Sequence, residues 1–288
     1  MGHNCRAFCQ KPYFYGMMMI MLVRLILCVF PGIEEHGDLD QRIADITRQL
    51  QLNPGDLSLY RQRGDLYLQH EEYDKAIADF HYCDLKGLND PHIYSGLSVS
   101  YLKAHQADSA LFFIEKVLSI EPSNPAYLDI KVSVLEDLGE NCSAALLLEK
   151  IIALSPHPSP ALFLRASACW KYCDETNHVD RSIAILKKGL DQLSHNFVIH
   201  SQLIRVYENY KRYEEALYWQ TELIARSPSR PRPYLDRAKI YLALNDKVKA
   251  KADLETVLSS IEKLAVHKQD TRAMKDLRIE IEQLLSQQ

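Results

Sequence analysis

The chain has 288 residues, 47% hydrophobic and 25% charged, with a formal net charge of −4. This composition excludes a long disordered protein, and the acidic balance excludes nucleic-acid binding driven by bulk positive charge. A compact core stops growing at roughly 250 to 300 residues, so the length implies either about two domains or a stack in which each unit contacts only its neighbours.

Residues 1–38 stand apart. The run PYFYGMMMIMLV (12–23) is followed by Arg24 and LILCVF (25–30), with Arg6 and Lys11 ahead of it. It resembles a secretory signal or signal anchor, and the expected location is therefore exported or membrane-associated, with any membrane contact made through residues 12–30 alone. Arg24 weighs against a full span, because a charge near the centre of a spanning helix costs about 2.5 to 3.5 kcal/mol. A start at one of Met17, Met18, Met19 or Met21 would instead make Arg24 the charged head of a short signal. Cys28 follows Leu25, Ile26 and Leu27 in a partial likeness to a lipoprotein box, with Leu27 where that motif wants a small residue. The competing reading is a mis-called start with no targeting role, which leaves the chain cytoplasmic.

A helix is predicted over Asp40–Gln51, where Leu39, Ile43, Ile46 and Leu50 fall four, three and four apart and Pro54 ends the pattern. Residues 39–56 thus form a cap. From Leu57 a pattern recurs every 34 residues: Ala76, Ala110 and Ala144 in one column, Tyr60, Tyr94 and Leu128 in another, then Tyr67, Tyr101 and Leu135, then Phe80, Ile114 and Leu148. A period of this length means stacked helix pairs. Gly64 and Ala76 are small where two helices cross closely.

The stretch GDLYLQHEEYDKAIADF (64–80) resembles the tetratricopeptide repeat in its small residue, two tyrosines, alanine and closing aromatic. The resemblance covers six units, 57–90, 91–124, 125–158, 159–196, 197–230 and 231–266. Ser98 and Val132 replace the glycine, and the fourth unit carries about four extra residues within 172–180, judged against the period, which puts Ser182 in the alanine column. Residues 267–288 close the stack with an apolar stripe of Met274, Leu277, Ile281 and Leu284, Asp270 serving as N-cap. The resemblance implies an all-α, right-handed superhelical solenoid of antiparallel helix pairs, about six units plus capping helices.

In tetratricopeptide proteins, positions 2, 5, 9 and 12 of each first helix line a concave groove. Here that stripe is acidic in the third unit (Asp129, Glu136) and basic around aromatics in the last three. The candidate partner-binding residues are Phe163, Trp170, Lys171, Arg205, Arg232 and Lys239. Their expected ligand is a protein or peptide segment with an apolar side chain against Phe163 and Trp170 and acidic groups near the cations. The competing reading packs both aromatics on the neighbouring repeat. The carboxylate clamp of some tetratricopeptide proteins is disfavoured, because Asp65 stands where that clamp has an asparagine and would repel a carboxylate.

No phosphate loop, nucleophile elbow or zinc-protease helix occurs, so no catalytic residues and no cofactor are assigned. Cys169, Cys173 and His178 offer three soft ligands with no evident fourth, and no metal site is assigned. The seven cysteines follow no disulfide spacing and are expected to be free thiols. The function expected is a non-catalytic interaction scaffold with its ligand in the groove. The alternative is a structural or assembly subunit, homo-oligomeric or part of a complex, that uses its convex face. An enzyme stands third.

Overall fold

The computed structural model describes residues 32–194 and 196–286. The signal-like run 12–30 and Cys28 lie outside these residues. Among the described residues every regular element is a helix, and none is long and apolar enough to cross a membrane. The chain divides into two compact units, residues 1–130 and 131–288.

The first unit contains α1 (Gly32–Leu52), α2 (Leu57–Gln69), α3 (Tyr73–Leu85), α4 (Pro91–Lys103) and α5 (Ala107–Ile120), and it ends within α6 (Pro125–Asp137). The second continues with α7 (Asn141–Leu154), α8 (Pro160–Lys171), α9 (His178–Gln192), α10 (Phe197–Asn209), α11 (Tyr213–Arg226), α12 (Arg232–Ala243), α13 (Lys247–Glu262), the short α14 (Val266–Gln269) and α15 (Arg272–Ser286). The first helix starts earlier than the predicted Asp40.

The first helix of a pair often begins on a short polar side chain. Asp56 accepts from the Ser58 amide, Asp90 from His92, Asn124 from Ala126, and Asn196 from Val198 and Ile199. These caps satisfy amides that no intrahelical carbonyl can reach. The turn to the second helix is equally uniform. Glu71, His105, Gly139, Lys211 and Asn245 all adopt positive φ. The next amide then donates to a carbonyl five residues back: Glu72 to Tyr67, Gln106 to Tyr101, Glu140 to Leu135, Arg212 to Tyr207, Asp246 to Tyr241.

The alanine column is the centre of each pair, and Ala76, Ala110, Ala144, Ala216 and Ala250 are fully buried. Ser182 takes the same place in the fourth pair, where its hydroxyl lies 2.8 Å from Ser167 Oγ and donates to the Ser167 carbonyl, so neither of these two buried hydroxyls is left unmatched. In the first unit Phe80 fills the space that two glycines leave. A Cβ on Gly64 or Gly96 would fall 2.9 or 2.7 Å from its ring. Tyr101 and Phe113 stack beside it with ring centres 5.6 Å apart. In the second unit α15 is part of the last core, where Leu277 and Ile281 pack with Leu235, Ala238, Ala250, Leu254, Val257 and Ile261.

One arrangement recurs at two places. Arg63 makes a two-pronged pair with Asp79 at 2.7 Å, bonds Thr47, and lies over the Tyr60 and Tyr67 rings. Arg237 does the same with Asp253 at 2.8 and 2.7 Å, with Thr221, Tyr234 and Tyr241. Every member of the second set lies 174 residues after its counterpart, from 63 to 237 for the arginine. Thr47 of α1 therefore matches Thr221 of α11, so α1 is built as the second helix of a pair.

The expectation of free thiols is corrected in the second unit. Cys142 and Cys173 form a disulfide with Cα atoms 4.8 Å apart, while Cys83 and Cys169 are free and buried. The sequence spacing hid this pair because the two residues sit in adjacent helical units at different positions of the repeat.

Candidate functional site

Each first helix presents its second, fifth, ninth and twelfth residues as a stripe. In the first unit this stripe is largely self-satisfied. Arg61 pairs with Asp90 at 3.3 Å and His92 Nε2 lies 2.9 Å from Asp65.

The second unit brings together only part of the predicted set. Phe163 and Trp170 are fully buried, which removes them as exposed anchors and matches the competing packing reading. Phe163 packs where a Cβ on Gly189 of α9 would come within 2.9 Å of its ring. The Trp170 indole donates to Glu149 of α7 at 2.8 Å, and the Arg181 guanidinium covers its face at 4.2 Å. Lys171 is exposed and lies 5.0 Å over Tyr172, apart from the other cations.

Arg205, Arg232 and Lys239 do converge. They line a cleft of about 900 Å³ between α10, α12 and α15. Its apolar floor includes Phe197, Ile204, Leu223, Met274 and Leu277, and its rim adds Arg230, Glu208, Asp236, Asp276 and Glu280. Four basic and four acidic residues thus share the cleft, where the sequence implied a basic patch. Glu280 of α15 is the main reason. It accepts from Arg232 at 3.0 Å and from Lys239 at 2.5 Å, and Asp236 accepts from Arg232 at 3.1 Å. Arg205 differs: it is exposed, and its charge acts on the Glu208 carboxyl. Arg230 lies 5.0 Å over the half-exposed Phe197 ring.

The carboxyl groups here are not equivalent. Bonding to Lys239 holds Glu280 below the usual carboxylate range, with Arg232 adding to the effect. Burial pushes Glu208 up, helped by the charge of Asp236 and opposed by Lys239 and Arg205, and burial likewise pushes Asp236 up against the pull of Arg232 and Lys239. Neighbouring carboxyls whose environments shift them in opposite directions are a feature of binding and catalytic clefts.

Sequence reasoning missed Phe197, Asp236 and Glu280, and left Glu208 out of the candidate set. Phe197 directly precedes the stripe, and Glu208 belongs to it. Asp236 sits one turn after Arg232, a spacing that marks a helical ion pair. Glu280 left no signal, since α15 lies outside the repeat.

Cys169, Cys173 and His178 are not gathered as one ligand set. Cys169 donates to Glu136, Cys173 is in the disulfide, and His178 Nδ1 lies 2.7 Å from the Glu175 carbonyl.

These are consecutive helix pairs of an all-α repeat protein, all but the fourth closed by the same left-handed turn. More particularly, the chain has the tetratricopeptide-repeat fold, as in the solved structures it is similar to. A tetratricopeptide repeat protein from Parabacteroides merdae ATCC 43184 superposes with a TM-score of 0.50 at 15% identity, covering 90% of this chain and 98% of that one. The C-terminal part of a TPR repeat-containing protein from Cytophaga hutchinsonii gives 0.52 at 18% identity, covering 70% and 79%. Among curated proteins, the uncharacterized protein ycf37 of Guillardia theta is 29% identical over 119 residues, which is 39% of this chain and 66% of that protein's length. No family model matches the sequence.

Proposed function

We propose that the chain is a non-catalytic scaffold that binds a protein segment in the α10–α12–α15 cleft. One observation carries this reading: the cleft joins an exposed cation, Arg205, to the half-exposed Phe197 ring, with Arg230 stacked on it. An apolar side chain of the ligand would rest on Phe197 and an acidic one would meet Arg205. Aromatic and arginine side chains are the usual anchors of such contacts. Arg232 and Lys239 orient α15 through Glu280 and form the wall of the site.

The test is selection of a displayed random-peptide library on the full-length protein, followed by affinity measurement on the Arg205→Glu variant. Peptides pairing an acidic with an apolar residue are expected to enrich. Their affinity should fall at least about tenfold in the variant, the 1.4 kcal/mol scale of one lost anchor. Equal affinity for both proteins, or no enrichment, contradicts the proposal.

A second reading rests on a different observation. Phe112, Leu146 and Tyr218 occupy the same position of their second helices and are 57%, 48% and 60% exposed. Large apolar groups left in water at one repeat position suit an assembly subunit that makes contacts through these helices.

A further inference from the structure

The fourth helix pair lacks the turn the others share. Its residue at the left-handed position is Cys173, which is not among the residues with positive φ. The stretch 174–177 follows before α9 begins, and none of its backbone amides donates to α8 among the described residues. The local bonds are short ones, Tyr172 to Cys169, Cys173 to Trp170 and His178 to Glu175. The Cys173 sulfur is instead bonded to Cys142 in the first turn of α7. The disulfide thus stands where the other five turns have a backbone hydrogen bond.

We propose that Cys142–Cys173 is a thiol–disulfide exchange site through which a dithiol reductant controls the order of the fourth turn. Cys142 is partly exposed and Cys173 is buried, so the reductant's thiolate attacks Cys142 Sγ. The S–S bond breaks and Cys173 leaves as a thiolate that takes a proton. The reductant's second thiol then closes on the mixed disulfide and releases Cys142. The dithiol is oxidised to its disulfide, and two electrons and two protons pass to the pair. Cys142 is a good group to release, because the first-turn amides of α7 have no side-chain cap and favour a thiolate. The other two described thiols take no part. Burial pushes Cys83 up to about 11 and Cys169 up to about 12, so neither ionises near neutral pH.

Opening the bridge acts on a defined region. The turn carries the 64%-exposed Tyr172 and leads into α9. There His178 Nε2 lies 3.4 Å from the Tyr210 hydroxyl and Asp180 accepts from Arg212 at 2.8 Å, both at the next turn along.

The test uses the full-length protein, alkylated during lysis and mapped without reduction, then equilibrated in buffers of reduced and oxidised dithiothreitol or glutathione. A peptide linking Cys142 and Cys173 is expected, opening at a measurable midpoint and closing again on oxidation. In the reduced state, hydrogen exchange at the bonded amides of Tyr172, Cys173 and His178 should rise at least about tenfold, while the turns at His105 and Asn245 keep their rates. Cys142→Ser should show the fast rate in both buffers, and the reduced wild-type chain gives the same reading if that variant fails to fold. The proposal is overturned by absence of the linked peptide, by a bridge that stays closed in excess dithiol, by unchanged exchange at Tyr172, Cys173 and His178, or by loss of helicity throughout on reduction.

Discussion

Trp170 owes its burial to neighbours on both sides: Glu149 takes its N–H and Arg181 covers its ring. Phe163 is held as tightly by α9. Replacing either with alanine should therefore cost about 3 to 5 kcal/mol of stability, read as a lowered denaturation midpoint, with no selective loss of ligand binding. A folded, undestabilised variant would contradict their place in the core. A spacing argument on one helix could not see this, because position 12 borders both the packed face and the groove, and only the neighbouring helices decide which side it joins. Glu136 tests the same packing by pH. Burial pushes its carboxyl up, but bonds from Arg165 at 2.8 and 2.6 Å and from Cys169 outweigh burial and hold it below its ordinary value of 4.5. A carboxyl depressed in the folded state contributes stability above its unfolded value and loses it as pH falls through the folded one. Stability should drop on acidification below about 4.5, and Glu136→Gln should flatten that part of the profile while lowering stability at neutral pH. An unchanged acid limb would show that Glu136 does not contribute.

The turns set the register of the helix pairs. Four of the five regular ones place a side-chain-bearing residue other than glycine at positive φ: Glu71, His105, Lys211 and Asn245. A left-handed backbone costs an L-residue roughly 1 to 2 kcal/mol, so His105→Gly should stabilise the protein by about 1 kcal/mol, and Gly139→Ala should destabilise it by a similar amount in urea titrations. Opposite signs would mean that the turn is not under this strain. The helix pairs themselves were legible in the sequence, because the buried alanine column and the aromatic columns repeat and each unit solves the same packing problem. The four-residue excess of the fourth unit was legible as a break in that period. Its consequence was not. The Cys142–Cys173 bridge joins different positions of two units, and α15 follows no repeat, so the carboxylate of Glu280 that pairs with Arg232 and Lys239 could not be found by periodicity.

For the molecule as a whole, the matched sets around Arg63 and Arg237 show how regular the scaffold is, down to the threonine and two tyrosines that surround each arginine. Function is read from departures from that regularity. One is the cleft closed by α15, with Arg205 exposed in it; another is the set of exposed apolar groups on second helices; the third is the disulfide-closed turn. The cleft and the set imply different partners' contacts, and a photocrosslinking amino acid separates them. It is placed in the full-length protein in its native cells, at Ser201 in the cleft or at Tyr218 on the outer face of α11. Binding in the cleft expects a discrete partner adduct at Ser201 that disappears with Arg205→Glu, and none at Tyr218. An adduct at Tyr218 with none at Ser201 would contradict the cleft and make the second helices the working surface.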